Sequence, residues 1–428
     1  ELLFRFAGVL TTLLGMAGIY MGLYELSGHK WASAGAMIYI LIPAVGRYAL
    51  ECAEYNLMLC WEAWVLYFFV MTVRKKDNFS LGGFFLFSCL SVYTQYGAVF
   101  FVAGVYIVLL VSSFQDRVFL RKIAVLTVLT VFIAVLPLVY FFLMPQIIRQ
   151  GTASISHYFV FKHGNFLYDF IAGIIFQAGW TMYLNTLTPV WNLWKIALQS
   201  AMVIPVMASV LAVAALMFQK KDKLFRLLIG ACVISWLIYY LCVASSFYAY
   251  NNWSGNTGFG NRYGLFFVPL WSFTLIYAAF ILCRTGKHKK LCFILITCFI
   301  AGGVINTFEV RIKDDVREAS EIWYKQNGFN TKTLVHQWDD ANFQFYIRHN
   351  ENYSDTFQKN IITAGIWIRS APYEEMLTKL EEIGIFELDS LLYVAPSAEV
   401  FTQVMKDSGY AVEILYDGIS KLLYLRKD

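Results

Sequence analysis

The sequence predicts a polytopic α-helical membrane protein that ends in a small C-terminal α/β domain. Three observations predict it. Hydrophobic runs of bilayer length recur about ten times before residue 307. Charged residues make up 15% of the 428 residues, against roughly 25% in a soluble protein. Acids ahead of residue 307 reduce to Glu1, Glu25, Glu51, Glu54, Glu62, Asp77, Asp116, Asp169 and Asp222, whereas the segment from 307 onward is charged throughout. The seam near 307 therefore divides a transmembrane domain, 1–306, from an extracytoplasmic domain, 307–428.

The expected spans are 4–24, 31–49, 56–73, 80–95, 97–113, 122–143, 195–217, 224–244, 263–283 and 290–306. Every second connection is basic: Gly28-His29-Lys30, then Arg74-Lys75-Lys76, then Arg117 with Arg121-Lys122, then Lys220-Lys221 with Lys223, then Lys287-His288-Lys289-Lys290. The positive-inside rule turns these loops to the cytoplasm. Residue 1, the loop 144–194 and the tail then lie outside, in a multi-pass protein of the plasma (inner) membrane. Two outer termini around an even number of spans are unusual, and one upstream span with a cytoplasmic N-terminus would repair the count. Within the outer loop, Phe166 to Leu184 is apolar but interrupted by Asp169, Gln177 and Gly179. It reads as a helix lying on the membrane surface.

The tail alternates strand-like and helix-like runs. Strands are expected at 332–336, 360–368, 391–395, 411–416 and 421–425, and helices at 372–384 and 397–409. Pro372 stands near the start of the first of these helices, where proline is tolerated. No Gly-x-Gly-x-x-Gly and no P-loop occurs, so nothing in the tail signals nucleotide binding.

Composition also sets limits on function. The net charge of +5 sits in small clusters between spans, with no basic face interleaved with aromatics, so nucleic acid is not a partner. All eight cysteines precede the tail, without a CxxC or a zinc-ligand spacing. Neither a disulfide framework nor a cysteine metal site is expected, although a divalent metal held by other groups stays open.

Four polar clusters fall at the outer ends of the spans. The first is Arg47-Tyr48-Ala49-Leu50-Glu51-Cys52-Ala53-Glu54-Tyr55. The second is Thr94-Gln95-Tyr96. The third, in the long loop, holds Arg149, His157, Lys162, His163 and Asp169. The fourth runs from Asn251-Asn252-Trp253-Ser254-Gly255-Asn256 to Asn261-Arg262-Tyr263. A membrane-surface sugar site has these needs. A prenyl-phosphate donor keeps its tail in lipid and its phosphate at the interface, where Arg262 or Lys162 can neutralise the leaving group. Arginine's planar fork matches phosphate oxygens. A carboxylate takes the proton of an attacking hydroxyl, and aromatic rings stack on sugar faces.

A plainer account stands beside each of these. Tyrosine, tryptophan and arginine anchor membrane proteins at the interface whatever their function. Arg47 and Glu51 are spaced for an ordinary helix ion pair. His157 and His163 fit solvated loop residues, and Glu62, roughly two turns inside the third span, fits a buried acid that is protonated or paired.

At these residues the chain resembles the GT-C superfamily of polyprenyl-phosphate-sugar glycosyltransferases, in its aminoarabinose-transferase and protein O-mannosyltransferase-like branch. Glu1-Leu2-Leu3-Phe4-Arg5 is similar to the acidic-apolar-Arg lead into the family's second membrane helix. Pro43 with Tyr48, Glu51 and Tyr55 is similar to its Pro…Tyr-Ser-x-Glu-Ala-Arg-x-Tyr stretch, and Arg262-Tyr263 with Pro269 to its Arg-Tyr-x5-Pro. Thr94-Gln95-Tyr96 falls where many members have Thr-His-Tyr. Ala53 stands in place of the family's Arg and Gln95 in place of its His. The resemblance places the family's catalytic Asp in a first outer loop ahead of residue 1. Within this chain the candidate catalytic carboxylates are Glu51 and Glu54, with Glu51 at the family's second acidic position. Arg262 and Lys162 are the candidates for the donor phosphate. Arg47, Tyr48, Tyr55, Gln95, Tyr96, His163, Asp169, Trp253, Asn256 and Tyr263 are the candidates for the substrate pocket.

The implied reaction is inverting transfer of a sugar from a polyprenyl-phosphate donor to an envelope glycan, lipid or protein, at the outer face. A lipid-linked sugar flippase would instead put polar residues near the midplane of several spans. An outer-leaflet polysaccharide polymerase or ligase would share the topology. A non-catalytic membrane scaffold would not need the acid and arginine clusters.

Overall fold

The computed structural model describes residues 2–50, 54–144, 222–244, 260–284, 290, 316–326, 328–348, 354–365, 371–395, 399–417 and 421–427. The chain divides into two compact units, Glu1–Val310 and Arg311–Asp428.

In the first unit the helices are α1 (Leu2–Ser27), α2 (His29–Leu41), α3 (Pro43–Leu50), α4 (Glu54–Lys75), α5 (Asn78–Thr94), α6 (Ala98–Ser112), α7 (Arg117–Thr130), α8 (Lys223–Ala244) and α9 (Val268–Arg284). A 3-10 segment, Gly260–Phe267, leads into α9. Five segments are long and apolar enough to cross a membrane: Phe6–Ser27, Glu54–Lys75, Arg117–Phe141, Lys223–Cys242 and Gly264–Ile281. The helices α5 and α6 are apolar but shorter. The protein is thus a multi-pass helical membrane protein. The expected spans 195–217 and 290–306, and the surface helix at 166–184, fall on residues outside those described, Lys290 excepted.

The expected second span, 31–49, is instead two helices. Pro43 has no amide hydrogen, so the helix cannot run through it unbroken. Ile42 adopts an extended conformation, its N–H bonds back to the carbonyl of Tyr39, and α3 starts afresh at Pro43. A second proline disturbs the sixth span. After α7 the backbone winds into π turns at Val131–Val135 and Val139–Leu143, on either side of Leu136–Leu138. Pro137 cannot donate to the carbonyl of Ile133, four residues back. The hydroxyl of Tyr93 on α5 donates to that carbonyl instead. Backbone groups freed inside a bilayer need such a replacement partner.

The long helix α1 lies along α4 on a seam of small residues. A Cβ on Gly15 would come 3.2 Å from the Cα of Cys60, and one on Gly18 3.0 Å from the carbonyl carbon of Ala63. Because lipid is as apolar as leucine, helix pairing in a membrane relies on this close backbone approach. Polar glue completes the seam: Thr12 donates to Asn56 Oδ1 at 2.9 Å, and Asn56 Nδ2 donates to the carbonyl of Gly8.

The basic connections gather at one end of the bundle. Arg74 pairs with Glu25 at 3.3 Å, Lys76 with Asp116 at 2.7 Å, and Lys122 bonds Asn78 at 2.9 Å. Tyr277 donates to Asp222 at 2.8 Å. The three aspartates at this end are also helix caps, accepting from the amides of Ser80, Phe119 and Phe225. Ser80 holds the Asp77 carboxyl below the usual carboxylate range, and Lys76 followed by the Phe119 amide does so for Asp116. A depressed folded pKa gives stability that is present above the unfolded value, near 3.9, and is lost as pH falls through the folded one. The protection of the Ser80 and Phe119 amides, taken relative to their intrinsic exchange at each pH, is therefore expected to fall below about pH 4. Unchanged protection there would contradict the capping.

In the second unit the helices are α10 (Val316–Lys325), α11 (Gln337–Arg348), α12 (Tyr373–Glu382) and α13 (Glu399–Asp407). The strands are β1 (Thr333–His336), β2 (Ile361–Ala364), β3 (Ser390–Ala395), β4 (Tyr410–Asp417) and β5 (Lys421–Lys427). They form one sheet in the order β2-β1-β3-β5-β4. The strand β1 is parallel to β2 and β3, β5 is antiparallel to β3 and β4, and β4 carries an irregularity between Ile414 and Tyr416. Alternation splits the sheet residues between two cores. Leu334, Leu391, Tyr393, Leu423 and Leu425 pack with Met376, Leu380, Phe401 and Val404 of α12 and α13. Val335, Leu392, Val394 and Leu422 pack on the other side with Trp323 of α10 and with Phe343 and Ile347 of α11. The result is a three-layer α/β/α unit. Each expected strand and helix of the tail has its counterpart, and α10 and α11 are additional.

Candidate functional site

The end of the bundle opposite the basic contacts collects most of the predicted site residues that are described. The helix α4 runs from this end and α5 runs back to it, as the ring contact of Trp64 with Phe87 at 5.7 Å shows for an antiparallel pair. The short helix α3 carries Arg47 and Tyr48 to the start of α4, where Glu54 is exposed in the first turn. A carboxylate there is favoured by the helix dipole. Tyr48 and Tyr55 are buried against each other, with ring centroids 5.1 Å apart.

Gln95 and Tyr96 form the turn between α5 and α6. Gln95 is buried, and its side-chain oxygen accepts the backbone N–H of Gly97 at the start of α6. Its oxygen therefore caps the turn, which leaves its amide hydrogens as what it can offer a ligand. Tyr96 is half-buried on the aromatic core.

The 3-10 segment that bears Arg262 and Tyr263 packs against α4, α6 and α8. Phe266 fixes it, lying 5.4 Å from Phe100 of α6 and 5.5 Å from Tyr239 of α8, centroid to centroid. Arg47, Arg262 and Tyr263 are placed here by their backbones; their side chains lie outside the described atoms. Glu51, Lys162, His163, Asp169, Trp253 and Asn256 fall on residues outside those described. Among the described residues no group of three His, Cys, Asp or Glu is arranged to hold a metal ion.

Two further features stand in the bundle: a tryptophan pair that was not singled out from sequence, and the acid that the sequence placed roughly two turns inside the third span. Trp236 of α8 and Trp271 of α9 flank Phe267, at 5.5 and 5.8 Å, and both indole N–H groups are buried without a hydrogen-bond partner among the described residues. They stand far apart in sequence and meet only through helix packing. Glu62 is the other. It is 0% exposed, and neither carboxylate oxygen has a hydrogen-bond partner among the described residues.

The fold and these residues define a multi-pass membrane protein with a cluster of polar and aromatic residues at one end of its helical bundle. Residues 1–141 match the model of the family described as dolichyl-phosphate-mannose-protein mannosyltransferase. Over that third of the chain the match bears out the GT-C resemblance. Two solved structures of ArnT from Cupriavidus metallidurans are similar to the chain as well. The apo form has 13% identity and a TM-score of 0.39, covering 98% of this chain and 83% of that one. The form bound to undecaprenyl phosphate has 12% identity and a TM-score of 0.38, covering 99% and 83%. No curated protein matches the chain.

Proposed function

We propose that this protein is an inverting glycosyltransferase that moves a sugar from a polyprenyl-phosphate donor to a hydroxyl of an envelope lipid, glycan or protein at the outer face of the plasma membrane. The observation that carries the reading is the convergence of Glu54, Tyr48, Tyr55, Gln95, Tyr96 and the Arg262-bearing segment at the bundle end opposite the basic contacts. Basic loops face the cytoplasm, so this end faces outward. The matched family, whose name speaks of a dolichyl-phosphate sugar, supports the class of donor. The tail from 307 onward would lie outside and meet the acceptor.

In the reaction, the acceptor oxygen bonds to the anomeric carbon as the bond from that carbon to the phosphate oxygen breaks. One displacement inverts the centre. The phosphate leaves with the bonding pair, and Arg262 and Lys162 are the cations this chain offers to neutralise it. The acceptor's proton passes to a carboxylate, with Glu51 and Glu54 the acids this chain supplies and the resemblance placing a further Asp upstream. Tyr48, Tyr55, Tyr96, Tyr263 and Trp253 are the aromatic candidates for the sugar pocket, and Arg47, Gln95, His163, Asp169 and Asn256 its polar candidates.

The test is transfer of radiolabelled sugar from a panel of polyprenyl-phosphate sugars by purified protein, with Arg262→Ala and Glu51→Gln alongside. Loss of a charge-stabilising group is expected to lower kcat about 10²- to 10³-fold in Arg262→Ala. No turnover of any donor, accompanied by lipid translocation in vesicles, would replace this reading with the flippase.

A further inference from the structure

We propose that Glu62 is a sugar-contacting residue that recognises a hydroxyl or amino group of the lipid-linked sugar from within the bundle; this rests on the transferase reading. Its neighbours make the case. In α4, residues 55, 59, 62 and 66 share one face. Tyr55, at the outer end of that face, is part of the candidate site. Glu62 is seven residues further on, roughly 10 Å along the axis. A helical side chain leans toward the N-terminus of its helix, so the carboxylate reaches back about one turn in the direction of Tyr55. Tyr39 of α2 borders the same level, its hydroxyl donating to the carbonyl of Leu59 at 3.4 Å. Tyr39 is also within electrostatic reach of Glu62. The element bearing Arg262 packs on this helix too.

An acid inside a membrane bundle is costly and characteristically marks a site. Here both oxygens are buried and unpartnered among the described residues, so the acid brings no stabilising bond of its own to the resting fold. Replacing such a group by an apolar residue of similar volume is neutral or stabilising, whereas removing one member of a satisfied pair is destabilising. A carboxylate with free acceptor sites takes hydrogen bonds from hydroxyl or amino groups, and a sugar supplies them. The bare polyprenyl phosphate has no such donor to offer at this depth.

The experiment measures binding of a polyprenyl-phosphate sugar and of the bare polyprenyl phosphate to the full chain, Glu62→Gln and Glu62→Leu, together with thermal stability and transfer. Wild type is expected to prefer the sugar-bearing lipid. Glu62→Leu is expected to lose that preference by about tenfold or more while binding the bare lipid as wild type does, and to melt no lower than wild type. Glu62→Gln, which keeps one acceptor, should fall between. An unchanged preference in Glu62→Leu, or no preference in wild type, overturns the assignment. A Glu62→Leu protein that melts lower or does not fold also overturns it, by exposing a structural partner. If wild type binds the sugar-bearing lipid selectively through Glu62 but transfers nothing, the transferase reading fails and the binding site stands.

Discussion

Trp323→Ala is expected to cost the C-terminal unit about 3–5 kcal/mol, the usual toll of emptying an aromatic site in a core. Trp323 is fully buried between α11 and the sheet, packs edge-on to Phe343 at 5.7 Å, and donates from Nε1 to Thr333 Oγ1 at 2.8 Å. Truncation removes the ring and leaves the Thr333 hydroxyl without that donor. Gly328, where a Cβ would come 2.3 Å from the indole nitrogen, shows how tightly the loop closes over the ring. An ordinary domain is stable by about 5–15 kcal/mol, so the loss takes a large share. Limited proteolysis of the full chain should show cuts within 311–428 in the variant under conditions that spare wild type. Equal resistance would mean that the cavity collapses at little cost.

The second large effect is expected at Gly104, where α6 crosses α8. A Cβ there would lie 2.0 Å from Ser235 Oγ, 2.9 Å from the carbonyl oxygen of Ala231 and 3.0 Å from the Ser235 amide nitrogen. The serine hydroxyl can rotate away, but the two backbone atoms move only if the helices part. Overpacking of this kind typically costs about 1–3 kcal/mol. Gly104→Ala is expected at that level and Gly104→Val beyond it. Parting α6 from α8 also shifts Phe100 from Tyr239 and Phe266, the contacts that seat the Arg262-bearing segment. The variants should therefore lose donor binding along with melting temperature. A Gly104→Val protein that keeps both would show that the helices separate freely.

Those glycine contacts were not legible in the sequence, and the reason is physical. Hydropathy reports whether a helix is buried, but not which small residue faces which backbone. The same holds for the Trp236, Phe267 and Trp271 cluster, whose members come from separate elements. The tail was more readable. In β3, Leu391, Tyr393 and Ala395 alternate with Leu392 and Val394, and both sets are buried, so an apolar run of strand length stood out. The helix α11 did not, because Gln337 follows His336 with no turn residue between them. Pro43 was noted as part of a family pattern, yet its effect on the helix is local chemistry that overrides a continuous apolar run. Of the site, the sequence order and charge pattern identified which ends of the helices converge. They did not reveal that the Gln95 oxygen is already engaged by Gly97.

Pro137 and Tyr93 carry a consequence for how this chain can change over generations. The proline strips the Ile133 carbonyl of its helical donor, and the tyrosine of another helix makes good the loss. The proline depends on the tyrosine more than the tyrosine depends on the proline. A chain that gains the proline first carries an orphaned carbonyl in hydrocarbon, whereas one that gains the tyrosine first sets its hydroxyl on a carbonyl whose second lone pair is still open. The two positions, 44 residues apart, are therefore coupled in one order. Divergence is easiest when the tyrosine arrives before the proline and departs after it, and only the reverse order runs through a less stable ancestor.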